Sequence, residues 1–236
     1  RNDEADPDDP AAPVALPEAN IQSAGPLRLA TLDDAALDLL EPEVAALFGW
    51  SLAHLTSTHG AIPRLCLPAS MAEMAMKAGR LMSAESYASL RELTESPENR
   101  IAPEIRERIN LGRSIPAAEL IGLLAAKRAW KRAFAETFAA CDVLLMPGVP
   151  LLPPPIATID QSNMALSVFG RFVNMLDLCA TSVPVGRSHN GLPIGLQLIA
   201  RSGADRVALQ LAAAMEQDGT ARFVAPALPT PLSLLA

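Results

Sequence analysis

The chain has 236 residues, of which 50% are hydrophobic and 19% charged, and its formal net charge is −7 at pH 7. This length and polarity fit a globular protein with one sizeable core. The acidic balance argues against a nucleic-acid or anionic-membrane partner, because phosphate binding needs a basic excess. The sequence has no apolar run of 18 residues, so no membrane span is predicted.

The first half of the chain predicts a linker followed by an α/β unit. Residues 1–26 are rich in Asp, Pro and Ala without periodicity, which predicts a linker and leaves 27–236 as the folded part. LRLATL (27–32) is an apolar run that suits an inner strand. Apolar residues at helical spacing predict a helix over 41–58, and the proline-containing stretch 61–67 predicts an edge strand. Strand, helix and strand in this order indicate crossover units on a largely parallel sheet.

The second half continues the alternation of helices and strands. Helices are predicted over 69–87, 116–141 and 169–180 and from Asp205 onward, and strands over 142–147, 182–186 and 195–200. The first of these helices carries four methionines, which suit either a plastic apolar pocket or ordinary core packing. Prolines from Pro147 onward predict an extended loop at the end of a strand, where open α/β sheets place their ligands.

The common catalytic motifs are missing from the sequence. It has no GxSxG elbow, no HExxH, no P-loop and no GxGxxG. His54 and His59 are five residues apart and do not share a helix face, and His189 lies in a predicted turn. The three cysteines are far apart, lack metal-ligand spacing and predict reduced, buried thiols in a cytoplasmic protein. These residues alone predict an α/β domain without locating its site.

Several motifs together resemble one family. FVNMLDLCATSVPVG (172–186) followed by GLPIGLQLIARSGAD (191–205) resembles the C-terminal hallmark of the amidase signature family. CDVLLMPGVPLLPPPI (141–156) is similar to the element in which that family follows an aspartate with an apolar strand and a proline loop. The resemblance covers essentially the whole chain. It implies an α/β fold, a mixed sheet flanked by helices, of which this chain is the C-terminal portion.

The resemblance also implies a chemistry. The family hydrolyses carbon–nitrogen amide bonds with a Ser nucleophile, a bridging Ser and a Lys base, without a cofactor or metal, and these residues lie in its N-terminal half. This chain has no GGSSGG-like stretch, and its three lysines, Lys77, Lys127 and Lys131, lie on helices of the wrong region. The implied catalytic residues therefore lie outside this chain, which makes an N-terminal amidase half its expected partner.

Two other functions remain open at this point. The chain is alternatively a non-catalytic fragment or binding subunit of the same fold, or an unrelated α/β hydrolase with His189 as its base. Upstream DNA that encodes a Gly/Ser-rich loop would favour the C-terminal half of an amidase over the non-catalytic fragment. An unpaired sheet edge left by the missing half would also favour association with other chains, including the formation of homo-oligomers.

For a small-molecule amide substrate, the resemblance implies that this half supplies the wall of the acyl pocket. The candidates, for each of which plain packing is the alternative, are Met82, Ser86, Met146, Pro147, Gly148, Val149, Phe169, Phe172 and Asn174.

A local similarity bears on the substrate. FVNMLDLCA (172–180) is similar to allophanate hydrolases, which hold the substrate carboxylate with a Tyr and an Arg. By gapless placement the corresponding positions here are Ala78 and Ser86. Neither side chain makes a charged, bidentate contact. We therefore expect an apolar or neutral amide rather than allophanate.

Overall fold

The structure, a computed structural model, describes residues 27–96, 100–159 and 165–222. The predicted linker over 1–26 lies outside these residues. The strands are β1 (Leu29–Leu32), β2 (Arg64–Leu65), β3 (Val143–Pro147), β4 (Cys179–Arg187) and β5 (Pro193–Ala200). The helices are α1 (Asp34–Leu37), α2 (Pro42–His59), α3 (Met71–Glu95), α4 (Pro103–Asn110), α5 (Ala117–Ala140), α6 (Val168–Met175) and α7 (Asp205–Gln217).

The five strands form one mixed sheet in the order β2-β1-β3-β5-β4. β1 is parallel to both β2 and β3, whereas β5 is antiparallel to β3 and β4. The prediction of a largely parallel sheet from chain order is therefore wrong for the half of the sheet that contains β4 and β5, because these two strands form a hairpin. Gly191, with a φ of 80°, lies in its turn, where such a backbone conformation favours glycine.

Helices cover both faces of the sheet, as the two apolar clusters show. Alternate residues of β3 point to opposite faces, so Leu144 and Met146 join the cluster under α3, α5 and α6. Val143 and Leu145 join the cluster under α2 and α7. Both sets are fully buried, which explains why this strand is a continuous apolar run.

Three predicted elements have different boundaries in the structure. The helix predicted over 169–180 ends at Met175, because Asp177 turns the chain in the left-handed region with a φ of 54°. β4 then begins at Cys179, paired with Ala200, so the strand is longer than the predicted 182–186. β2 is shorter than predicted, since Pro63 has no N–H to donate to a ladder.

The cysteines also differ from the prediction. None of the three is in a disulfide, and Cys141 is buried as expected. Cys66 is exposed just after the two-residue edge strand, and Cys179 is half-buried at the start of β4. The prediction of buried thiols is therefore wrong for two of the three.

Candidate substrate-binding site

A cavity among the described residues lies between α3, α4 and α6. Its volume is about 410 Å³. Its lining combines apolar side chains, among them Met76, Met82 and Leu111, with the charged side chains of three arginines and two glutamates. A cavity of this size, mostly apolar with a few polar groups, is typical of small-molecule sites.

Helix α3 forms the central wall because its sequence has two faces. Ser70 caps its N-terminus by accepting a hydrogen bond from the Glu73 N–H. Met74, Ala78 and Leu81 recur at helical spacing and are buried in or against the core. Met76 and Met82 lie off this face, are 52% and 46% exposed, and line the cavity. The methionine-rich stretch therefore divides between core packing and cavity wall.

The α4 side of the cavity is fixed by close backbone contact. The 3-10 turn Leu111–Ser114, which follows α4, packs directly on α3. At Gly112 a Cβ atom would lie 2.1 Å from the Ser83 carbonyl oxygen. Only glycine lets the two backbones come this close. Leu111, beside this contact, is held at the cavity wall.

Arg171 on α6 reaches across to α3. Its Nε donates to Ser167 Oγ at 2.9 Å, and its Nη1 lies 3.4 Å from the Ala75 carbonyl oxygen. Gly79 provides the space, since a Cβ there would lie 2.3 Å from Nη1. Burial, together with the positive charge of Arg108, lowers the pKa of the Arg171 guanidinium.

Arg80, a second arginine of the cavity, is already paired. Its Nε and Nη2 donate to the two carboxylate oxygens of Glu119 on α5, at 2.7 and 2.8 Å. This bidentate contact lowers the pKa of Glu119 and raises that of Arg80. Because both charges are satisfied by each other, the pair ties α3 to α5 rather than attracting a ligand.

A smaller cavity of about 160 Å³ adjoins the first between α3 and α6. Met82 and Arg171 line both cavities, and Ala78 and Asn174 line the smaller one. The two spaces therefore share a wall built from one methionine and one arginine.

The predicted site residues fall into three places. Met82 and Asn174 meet at the smaller cavity. Phe169 and Phe172 are fully buried in the core beneath α6. Ser86 is half-buried one turn beyond Met82, outside the lining that the described residues give to either cavity.

The predicted segment at the end of β3 lies in the sheet. Met146 and Pro147 are buried, and the Gly148 N–H donates to the Gly195 carbonyl oxygen at 2.9 Å. Val149 follows in the proline-rich loop, half-buried. That these residues bind substrate stays a prediction, as it does for the other residues named from the sequence.

Sequence reasoning missed Gly79, Arg108 and Arg171. One signal was available, because an isolated glycine inside a helical pattern costs stability and usually has a packing or functional reason. Its partner Arg171 is 92 positions away along the chain, so no local pattern connected the two.

The candidate bases of the chain are engaged elsewhere. Lys77 pairs with Glu73 at 2.9 Å, and Lys127 and Lys131 both donate to Asp177, at 2.8 and 2.6 Å. His189 is exposed and contacts Glu43 of α2 through its ring Nδ1. Within residues 27–96, 100–159 and 165–222, no three His, Cys, Asp or Glu side chains are grouped to hold a metal ion.

Comparison with known proteins agrees with the fold. The sequence model of the Amidase family matches residues 1–209. The chain belongs to the amidase family. It is 28% identical over 202 residues to the 2-amino-5-chloromuconic acid deaminase of Comamonas testosteroni, an alignment that covers 81% of this chain and 44% of that protein.

Solved structures of amidase-family proteins share the fold. A crystal structure of an amidase superposes with a TM-score of 0.72 at 22% identity, covering 82% of this chain and 46% of that one. An allophanate hydrolase of Kluyveromyces lactis gives a TM-score of 0.65 at 25% identity, covering 79% and 31%. The chain thus spans less than half the length of these relatives. None of the described helices is long and apolar enough to cross a membrane.

Proposed function

We propose that this chain is the substrate-binding part of an enzyme that hydrolyses a carbon–nitrogen amide bond. The family match over residues 1–209 carries the proposal. The mixed apolar and charged cavity between α3, α4 and α6 supports it, because such a space suits a small amide with a polar end.

The proposed mechanism uses a Ser nucleophile, a bridging Ser and a Lys base that this chain does not supply. A lysine base has to present a neutral amine to a serine hydroxyl. Each of the chain's three lysines instead has a carboxylate partner, and Lys77 also lies over the Trp130 ring at 5.2 Å. These contacts support a structural part for all three ammonium groups.

The contribution of this chain is then binding and orientation. Holding the acyl part of the substrate fixes its carbonyl group against a nucleophile supplied from elsewhere, and such positioning lowers the entropic part of the barrier. Met82 and Asn174 are the predicted residues with the strongest support for this part, because both line a cavity. Phe169 and Phe172 would support the site indirectly, because they pack the buried face of α6 into the core.

The test compares the chain alone with the chain co-expressed with any coding sequence upstream of it. Release of 4-nitroaniline is measured for both preparations, from hexanoyl 4-nitroanilide and from the mono-4-nitroanilide of adipic acid, which carries a free carboxylate. We expect turnover only from the co-expressed preparation. Turnover by the chain alone would contradict the assignment of the catalytic residues, and turnover by neither would favour a non-catalytic binding subunit.

A further inference from the structure

We propose that Arg171 is a specificity-determining residue that binds a carboxylate group of the substrate in the cavity between α3, α4 and α6. This inference rests on the proposed function, since it names the substrate class of that same site: an amide that also carries a negative charge and an aliphatic body.

The first observation is that the fold makes room for this guanidinium. Gly79 lies in the interior of α3, where glycine is less stable than alanine. A Cβ at this position would lie 2.3 Å from Nη1 and 3.6 Å from Cζ of Arg171. The missing side chain is therefore matched to the arginine, which lies against the helix and lines both cavities.

The second observation is that the charge of Arg171 is not neutralised. Its partners among the described residues are the Ser167 hydroxyl and the Ala75 carbonyl oxygen, and neither is a carboxylate. A guanidinium has five N–H donors, so these two contacts leave donors available for an anion. Arg80, in the same cavity, differs because Glu119 takes both of its donating nitrogens.

Charged side chains of both signs line this end of the cavity. Arg108 is the charged neighbour that acts on Arg171, and it is also positive. Glu104 and Glu107 line the cavity from α4, but neither forms an ion pair with Arg171 among the described contacts. A carboxylate beside Arg171 would accept a charge-assisted hydrogen bond from its guanidinium.

The remaining lining suits an aliphatic body. Met76, Met82 and Leu111 form the apolar part of the wall, and methionine side chains adapt to ligands of different shape. An anionic head beside Arg171 and an alkyl chain along these residues fit the cavity. An amide with a free carboxylate, or a short amphiphilic acid amide, has this pattern.

This conclusion revises the neutral substrate expected from sequence. That expectation rested on Ala78 and Ser86, which offer no positive charge. In the structure Ala78 lines the smaller cavity together with Arg171, which reaches it from α6. A cation is therefore present at this wall although α3 does not supply it.

The test is a binding measurement on the intact chain, which requires no turnover. Hexanoate and its neutral counterpart hexanamide are titrated at low ionic strength, and Kd is followed by chemical-shift changes of the methionine methyl groups. We expect hexanoate to bind at least about tenfold more tightly than hexanamide, in the range of a charge-assisted hydrogen bond.

Three variants make the test specific. Arg171→Gln is expected to abolish the preference, so that hexanoate binds no more tightly than hexanamide. Gly79→Ala keeps every charge but makes the guanidinium shift, and is expected to weaken hexanoate binding by less than Arg171→Gln does, because the end of an arginine side chain is flexible. Arg132→Gln, which removes an exposed arginine of α5, serves as the matched control and should bind as the unaltered chain does.

Two results would overturn the proposal: equal affinity for hexanoate and hexanamide in the unaltered chain, or a preference that survives both Arg171→Gln and Gly79→Ala. Because both results come from binding, they differ from failure of the proposed function, which would appear as missing amide turnover in the co-expressed preparation. A carboxylate preference without turnover would retain the site and reject the hydrolase.

Discussion

Replacing Gly112 with alanine should destabilise the chain more than an ordinary surface change. The added Cβ would lie 2.1 Å from the Ser83 carbonyl oxygen and 2.7 Å from the Tyr87 Cβ. The first of these atoms belongs to the backbone of α3, which is a long helix and cannot rotate away as a side chain can. Relief therefore requires the 3-10 turn and α3 to move apart, which opens the wall of the cavity.

The magnitude follows from the cost of overpacking. Extra methyl groups in well-packed places destabilise by about 1–3 kcal/mol, and a clash with helical backbone belongs at the upper end. A loss of about 3 kcal/mol corresponds to a fall in Tm of roughly 6–12 °C for a domain of this size. The same movement displaces Leu111, so ligand binding should weaken as well.

The assay is urea unfolding followed by circular dichroism, with Gly122→Ala as the control. Gly122 lies in α5, and a Cβ there meets no described atom within 4 Å. Alanine at this helical position should stabilise the chain by up to about 1 kcal/mol. An unfolding midpoint for Gly112→Ala equal to that of the unaltered chain or of Gly122→Ala would refute the close-contact reasoning.

Three further outcomes are expected. Asp142→Asn weakens the contacts with Arg28 that lower the Asp142 pKa. Because the Arg28 side chain is 56% exposed and water screens the pair, the unfolding free energy at pH 7 should fall by no more than about 1 kcal/mol. Since that folded pKa is depressed, the contribution is complete above about pH 4 and is lost on further acidification, so urea unfolding at pH 3 should show a smaller difference. Asp177→Ala should cost about 1–2 kcal/mol more than Asp177→Asn by thermal unfolding, because both lose the lysine pairs but only alanine disfavours the left-handed backbone. In thiol labelling of the native chain, Cys66 should react well before Cys141, because Cys141 is buried and burial raises its pKa to about 11; equal labelling rates would contradict this.

Strand positions followed from the sequence where burial and turn chemistry are local. The run VLLMP (143–147) is apolar throughout because β3 is covered on both faces, and Asn190-Gly191 marks the hairpin turn by its composition. The fold class predicted from the amidase resemblance was also confirmed. The motifs that carry the resemblance cover these same strands.

The features that escaped prediction depend on distant residues. The end of α6 is set at Asp177, whose carboxylate binds two lysines 46 and 50 positions earlier in the chain. The contact between Gly79 and Arg171 likewise joins two helices far apart in sequence. Periodicity reports which face of a helix is buried but not which side chain of another helix will lie against it.

The most direct measurement of the central claim identifies the serine that reacts. The chain, alone and co-expressed with any upstream coding sequence, is treated with a fluorophosphonate, and the adduct is located by mass spectrometry. We expect no adduct on the serines of the 236-residue chain in either preparation. The co-expressed preparation should carry one on a serine outside this chain, with loss of amide turnover. An adduct on a serine of the chain itself, accompanied by inactivation, would contradict the claim that this chain binds the substrate and a different segment supplies the nucleophile.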